Sequence, residues 1–172
     1  MLGSEFELVS LDMIGCTEEI PETQPTIEGN SLQKAQYVWD NYKINCFADD
    51  TGLEVEALNN EPGVYSARYA GELKSDKKNM ALVLERLADK ENRKARFKTV
   101  FTLMQNGESQ QFEGIAKGEL RTELSGEKGF GYDPIFQPEN HEITFAEMSP
   151  ADKNQISHRG KALRKLVEFL KD

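Results

Sequence analysis

Ala48-Asp49-Asp50-Thr51-Gly52-Leu53 is the stretch on which the reading of the fold turns. Apolar Ile44, Cys46 and Phe47 precede it as a short strand, and Leu53, Val55 and Ala57 then alternate with Glu54 and Glu56 as in a half-buried strand. The two carboxylates are therefore expected at a strand end, in a hairpin-like turn. Adjacent side chains on an extended segment point to opposite faces, so Asp49 and Asp50 do not form one claw; one anchors the turn and the other is free for chemistry. A free carboxylate there can hold a hard cation such as Mg²⁺, orient a water, or do both. The competing reading is a plain Asx turn, the commoner meaning of an isolated Asp-Asp-Thr-Gly. An aspartic-protease reading is demoted, because that chemistry needs two like carboxylates and no second Asp-Thr-Gly or Asp-Ser-Gly occurs.

At 172 residues the chain is long enough for one domain with a sizeable core. Lys plus Arg total 21 against 30 for Asp plus Glu, a net charge of -9 that repels nucleic-acid polymers but leaves room for a small phosphorylated substrate held by a few placed cations. Two cysteines, Cys16 and Cys46, are too few for a disulfide framework and fit a reducing cytosol. No run of 18 apolar residues and no basic-then-apolar leader occurs, so a membrane partner is not expected.

Outward from the centre, Met1-Leu2-Gly3 reads as the end of a helix with its glycine cap, followed by a short strand through Phe6, Leu8, Val9 and Leu11. A Pro- and Gly-bearing acidic loop spans 18–29, and Asn30 or Ser31 caps a helix to about Lys43 with Leu32, Ala35, Val38, Trp39 and Tyr42 on one face. Lys34 then falls in the first turn, either solvated or half of an anion site. Glu61-Pro62-Gly63 is a turn, and Ser75 caps a second helix to about Asp89. Ala95–Met104 is the longest strand, joined by Asn106-Gly107 in a type I′ turn to a partner over about 108–120. The stretch Ser125 to Pro134 places three glycines and two aromatics in a loop suited to a flat ligand or, equally, tucked into the core. Pro150, Lys153, Ser157, His158 and Arg159 lead into a last helix faced by Leu163, Leu166, Val167 and Leu170; a His-Arg pair at a helix start suits anions and carbonyl oxygens.

Four ordered blocks, namely Ala48 to Leu53, Pro62-Gly63-Val64-Tyr65-Ser66-Ala67-Arg68-Tyr69, Gly129 to Phe136, and Ile156-Ser157-His158-Arg159-Gly160-Lys161-Ala162, closely resemble the inosine triphosphate pyrophosphatase (Ham1-like) family. The resemblance implies an elongated α/β fold with a mixed central sheet and flanking helices, two lobes around a central cleft, Mg²⁺ dependence and a homodimer. It implies hydrolysis of ITP, dITP and XTP to the monophosphate and pyrophosphate. Carried over by position, Asp50 is the metal ligand and base, Glu22 a second Mg²⁺ ligand, and Lys34 a phosphate contact. Phe130 stacks on the base, with Gly131 and Tyr132 in the same binding block; Asp133, His158 and Arg159 read the base edge, Lys153 is another substrate lysine, and Thr51 stands where the family has Ser or Thr. No Ser/Thr-x-Asn-x-x-Lys loop occurs ahead of Leu2-Gly3. A single domain over 1–172 lacking roughly twenty N-terminal residues is therefore expected, about one strand-loop-helix unit. The rival readings are a catalytically impaired nucleotide-binding or dimer-forming protein, and a Mg²⁺-dependent pyrophosphatase with ordinary nucleotide substrates.

Overall fold

The computed structural model describes residues 6–171. Its organising element is β1 (Cys46–Val55), ten residues of unbroken strand in which Asp49, Asp50, Thr51 and Gly52 all pair with β3 (Lys94–Gln105). The expected turn at the two aspartates is corrected: continuous cross-strand pairing from Cys46↔Met104 to Val55↔Ala95 overrides the local turn preference of Asp-Asp-Thr-Gly. The chain reverses later, through Asn59 and Asn60 at positive φ, so that Pro62–Gly63 forms β2 against Leu53 and Glu54 rather than being itself the turn. β4 (Glu108–Leu120) pairs with β3 along its length through the Asn106-Gly107 turn, as its sequence demands, and β5 (Phe136–Pro138) closes the far edge.

The sheet order is β2-β1-β3-β4-β5. All four pairings are antiparallel, so within the described residues the sheet is not mixed in strand direction, while the α/β architecture stands. Helix α1 (Ile27–Tyr42) covers one face. It starts earlier than expected because Thr26, not Asn30 or Ser31, accepts the capping hydrogen bond from the Gly29 amide. Asn30 and Ser31 are instead buried helix residues, Leu32 is exposed, and Lys34 lies two turns in. Helix α2 (Asp76–Arg86) is capped by Ser75 and ends slightly short of the expected limit. At the C-terminal end Ser157, in extended conformation, divides α3 (Pro150–Ile156) from α4 (His158–Phe169), so the last helix is two.

Two hydrophobic clusters lie along the strands. At one end Phe101, Leu103 and Phe112 pack under Ala162 and Leu166 of α4. At the other, Leu53, Val55, Phe97 and Leu120 meet Met80 and Val83 of α2, Leu87 just after it, and the aromatic pair Phe136 and Phe145. Phe97 lies 4.7 Å from Phe136, and Phe136 lies 5.0 Å from Phe145, an arrangement worth about 0.5–1.5 kcal/mol per pair beyond burial. The strand expected through Phe6, Leu8, Val9 and Leu11 is not formed; the segment is irregular, Leu8, Val9 and Leu11 are exposed, and a 3₁₀ turn follows at Asp12–Ile14. The helix end expected at Met1-Leu2-Gly3 falls outside the described residues. Among the described residues no helix is long and apolar enough to cross a membrane.

Candidate functional site

Because β1 is a strand, its alternation separates the two aspartates. Asp50 faces α1 and Asp49 faces α4, each with its own cation.

On the α1 side, Lys34 Nζ lies 2.7 Å from Glu22 Oε1 and 3.0 Å from Asp50 Oδ1. Burial lifts the Asp50 carboxyl above the ordinary carboxylate range, and the Lys34 charge only partly offsets it. For Lys34 burial opposes the charge, but the hydrogen bond to Glu22 and the field of Asp50 outweigh it, so the ammonium is held charged. The Glu22 loop is latched to α1: Thr23 N donates to Gln33 Oε1 and Gln33 Nε2 to Thr23 Oγ1, both at 2.9 Å, while Gln24 N donates to Asn30 Oδ1 at 2.8 Å. Asn30 also donates to Asp50 Oδ2 at 3.4 Å. It is a site residue the sequence reading missed, although its spacing four residues before Lys34 on one helix puts both side chains on the same face. Two carboxylates converging on a cation suit a hard divalent ion that takes few protein oxygens and completes its shell from water and phosphate. Among the described residues no group of three or more His, Cys, Asp or Glu gathers around a metal position.

On the α4 side, Arg159 donates to Asp49 Oδ2 from Nη2 at 2.9 Å and from Nε at 3.3 Å, and to Thr51 Oγ1 at 3.4 Å. The Phe130 ring is exposed, with Lys153 Nζ 5.0 Å and Arg159 Cζ 5.8 Å from its centroid. Behind it Asp133 is buried, accepts from Phe130 N at 3.0 Å and receives the Lys153 ammonium. His158 lies flat on Phe97, with centroids 4.6 Å apart and planes 13° from parallel, and its Nδ1 has no partner. Phe130, Lys153, His158 and Arg159, with Phe145 and Met148, line a cleft of about 570 Å³, which buried Asp133 reaches only through its ion pair with Lys153. A larger cavity of about 700 Å³ lies at the other end of the strands among Glu54, Lys94, Arg96, Lys117 and Glu119, and holds none of the candidate residues.

Two residues of the Gly129 to Phe136 block sit elsewhere. Tyr132 is 3% exposed and donates its hydroxyl to Ser66 O at 2.8 Å, and Gly131 N donates to Asp76 Oδ2 at 2.7 Å. Neither lines the cleft. Thr51 Oγ1 shares a 2.7 Å hydrogen bond with Thr99 Oγ1 on β3. The two halves of the site meet around β1, whose outer edge from Cys46 to Gly52 has no strand paired to it among the described residues.

Burial, reinforced by the charges of Arg159, Lys153 and Lys161, pushes His158 down to about 3 from its ordinary 6.5. Between these values the unfolded chain takes up a proton that the folded chain refuses, so this histidine removes stability as pH falls from about 6.5 towards 3. The slope is at most about 1.4 kcal/mol per pH unit. Melting temperature followed over that range should fall more steeply for the parent than for His158→Gln; parallel curves would show that His158 is not held neutral by the fold.

The Ham1 family model matches residues 1–169. The chain is 55% identical over 172 residues to a dITP/XTP pyrophosphatase of Flavobacterium psychrophilum, covering 100% of this chain and 90% of that protein. It is 45% identical over 168 residues to the dITP/XTP pyrophosphatase of Bacillus subtilis, covering 96% and 85%. Among solved structures it superimposes on the Staphylococcus aureus Ham1 protein with a TM-score of 0.94 at 39% identity, covering 97% of this chain and 88% of that one. A Mycobacterium abscessus nucleoside-triphosphatase / dITP/XTP pyrophosphatase matches with a TM-score of 0.82 at 44% identity, over 95% and 85%.

Proposed function

From the premise that this chain belongs to the Ham1 family, we propose that it is a nucleoside triphosphate pyrophosphatase, hydrolysing deaminated purine nucleotides such as dITP, ITP and XTP to the monophosphate and pyrophosphate. The observation that carries the reading is the pair of neighbours on β1: Asp50 in a carboxylate and ammonium cluster that suits a phosphate chain, and Asp49 holding the arginine beside an exposed aromatic ring.

Glu22 and Asp50 are the residues that would hold Mg²⁺, which when bound neutralises phosphate charge and makes its bound water more acidic. Lys34 is already charged between them and is placed to turn to phosphate oxygens as the substrate enters. Asp50, its carboxyl raised by burial, takes the proton of the water that attacks the α-phosphorus, and the Lys34 ammonium stabilises the leaving pyrophosphate. Phe130 stacks on the base. Hypoxanthine and xanthine offer a 6-oxo acceptor where adenine offers an amino donor, so Arg159, which has only donors, favours the former. A donor left facing the adenine amino group is unpaired, and such mismatches discriminate strongly. The protein is read as a cytosolic homodimer with both cysteines reduced; Cys16 and Cys46 are free thiols.

Pyrophosphate release from ITP, XTP, dITP, GTP and ATP, with and without Mg²⁺, tests this reading. Release from dITP and XTP that needs Mg²⁺ and far exceeds that from ATP is expected, and no release from any of them would overturn it. In the same assay Arg159→Ala should narrow the preference for ITP over ATP by about 10- to 100-fold, through loss of ITP turnover. An equal fall for both nucleotides would make Arg159 a phosphate contact.

A further inference from the structure

Arg68 is the one arginine whose guanidinium donates no hydrogen bond among the described residues. Arg86, Arg93, Arg96, Arg121, Arg159 and Arg164 each donate at least one. Its side chain is nevertheless only 25% exposed, and its one ion pair is long, 4.0 Å from Nη1 to Glu22 Oε2. A half-buried guanidinium whose donors are unused by protein and still reach solvent can exchange water for a charged oxyanion without breaking a protein hydrogen bond. Glu22 Oε2 is the oxygen that Lys34 leaves free, since Lys34 grips Oε1. The two cations therefore flank the same carboxylate.

The mount beneath Arg68 is stiff. It closes the 3₁₀ turn Ser66–Arg68, and its Cζ sits 5.4 Å from the Tyr65 ring centroid. Ser66 Oγ donates to Gly63 O at 2.6 Å and accepts from Leu53 N at 2.8 Å, tying the turn to β1 and β2. Buried Asn79 of α2 donates to the Ser66 and Ala67 carbonyls at 3.3 and 3.0 Å and accepts from Ala70 N at 2.7 Å. The Tyr132 hydroxyl donates to the same Ser66 carbonyl at 2.8 Å, which gives this buried tyrosine its place in the site. A turn held by so many buried hydrogen bonds keeps the guanidinium in position before any ligand arrives.

We propose that Arg68 is a substrate-binding residue that grips the polyphosphate tail of the nucleotide from the side of Glu22 opposite Lys34. This rests on the pyrophosphatase reading for the identity of the ligand and adds a positive group to it. Arginine suits the task because its planar fork meets two phosphate oxygens in a fixed parallel geometry, where a lysine offers a single compact charge.

The test uses inorganic tripolyphosphate, which carries the phosphate chain without sugar or base, titrated calorimetrically into the whole protein in EDTA. Arg68→Ala should bind it about 10- to 100-fold more weakly than the parent, with an unchanged melting temperature. Arg68→Lys should fall between the two, keeping the charge but not the fork. Arg68→Gln replaces the alanine variant if that one proves unstable. Parent-like affinity in a folded Arg68→Ala or Arg68→Gln protein overturns the proposal. So does a loss that appears only when Mg²⁺ is present, which would make Arg68 a positioning residue acting through Glu22. Binding is read without turnover, so a parent that releases no pyrophosphate from dITP fails the functional reading separately and leaves this measurement interpretable.

Discussion

Asp50→Asn should fold as the parent does and lose about a thousandfold or more in turnover of dITP. The amide keeps the shape of the side chain and its place on β1 but removes the charge that faces Lys34 and a cation, together with the basicity that takes up a proton. Asp50 is 12% exposed and pairs with Lys34 at 3.0 Å, so the amide leaves the ammonium with Glu22 alone and shifts it towards that carboxylate. Steady-state turnover on dITP beside a melting curve checks this. A folded Asp50→Asn protein with parent-like turnover would remove Asp50 from the chemistry.

Gly114→Ala should be strongly destabilising. A Cβ at Gly114 would overlap the His158 carbonyl and lie 2.5 Å from Ala162 N and 3.0 Å from Ala162 Cβ. The first two are backbone atoms, which cannot swing aside as a flexible side chain can, so α4 must move off β4. Overpacking of this kind costs about 1–3 kcal/mol and occasionally more, and with backbone opposing it the upper end is expected. For a domain of this size that corresponds to a fall of about 6–12 °C in melting temperature. The displaced segment begins with His158 and Arg159, so selectivity for ITP over ATP should fall together with stability. A variant that melts like the parent and keeps its selectivity would show that α4 is not seated on β4 as described.

The parts of the fold legible in the sequence are those fixed locally. Asn106-Gly107 specifies the β3–β4 hairpin by backbone conformation alone, with both residues at positive φ, and Ser75 caps α2 as read. The misreadings come from residues whose local preference is overridden by a distant partner. Gly52 looks like a turn residue beside two aspartates, but it sits in β1 where a Cβ would overlap the Gly63 carbonyl; it is small to admit β2 rather than to bend the chain. Gly29 looks like the end of a loop, yet it lies in the first turn of α1 and supplies the amide that Thr26 caps.

The site divides in the same way. That Asp49 and Asp50 act separately follows from strand alternation and needs no tertiary information. That Arg159 belongs to Asp49, Lys34 to both Glu22 and Asp50, and Arg68 to the far oxygen of Glu22 depends on residues 12 to 110 positions apart, which no local pattern encodes. Tyr132 shows the converse. Its glycine-rich setting reads as a binding loop, but the ring is core and its hydroxyl serves the turn under Arg68. The reading of the chain as an impaired binding protein finds no support in its relatives, which are named as pyrophosphatases.

The central claim is that a deaminated purine nucleotide lies across β1 with its α-phosphorus beside Asp50, and hydrolysis of dITP in ¹⁸O-labelled water with mass analysis of both products tests it most directly. The account predicts one labelled oxygen in the deoxyinosine monophosphate and none in the pyrophosphate. Label in the pyrophosphate would place the attack on the β-phosphorus, and release of inorganic phosphate with the diphosphate would place it at the far end of the chain; either result would contradict it.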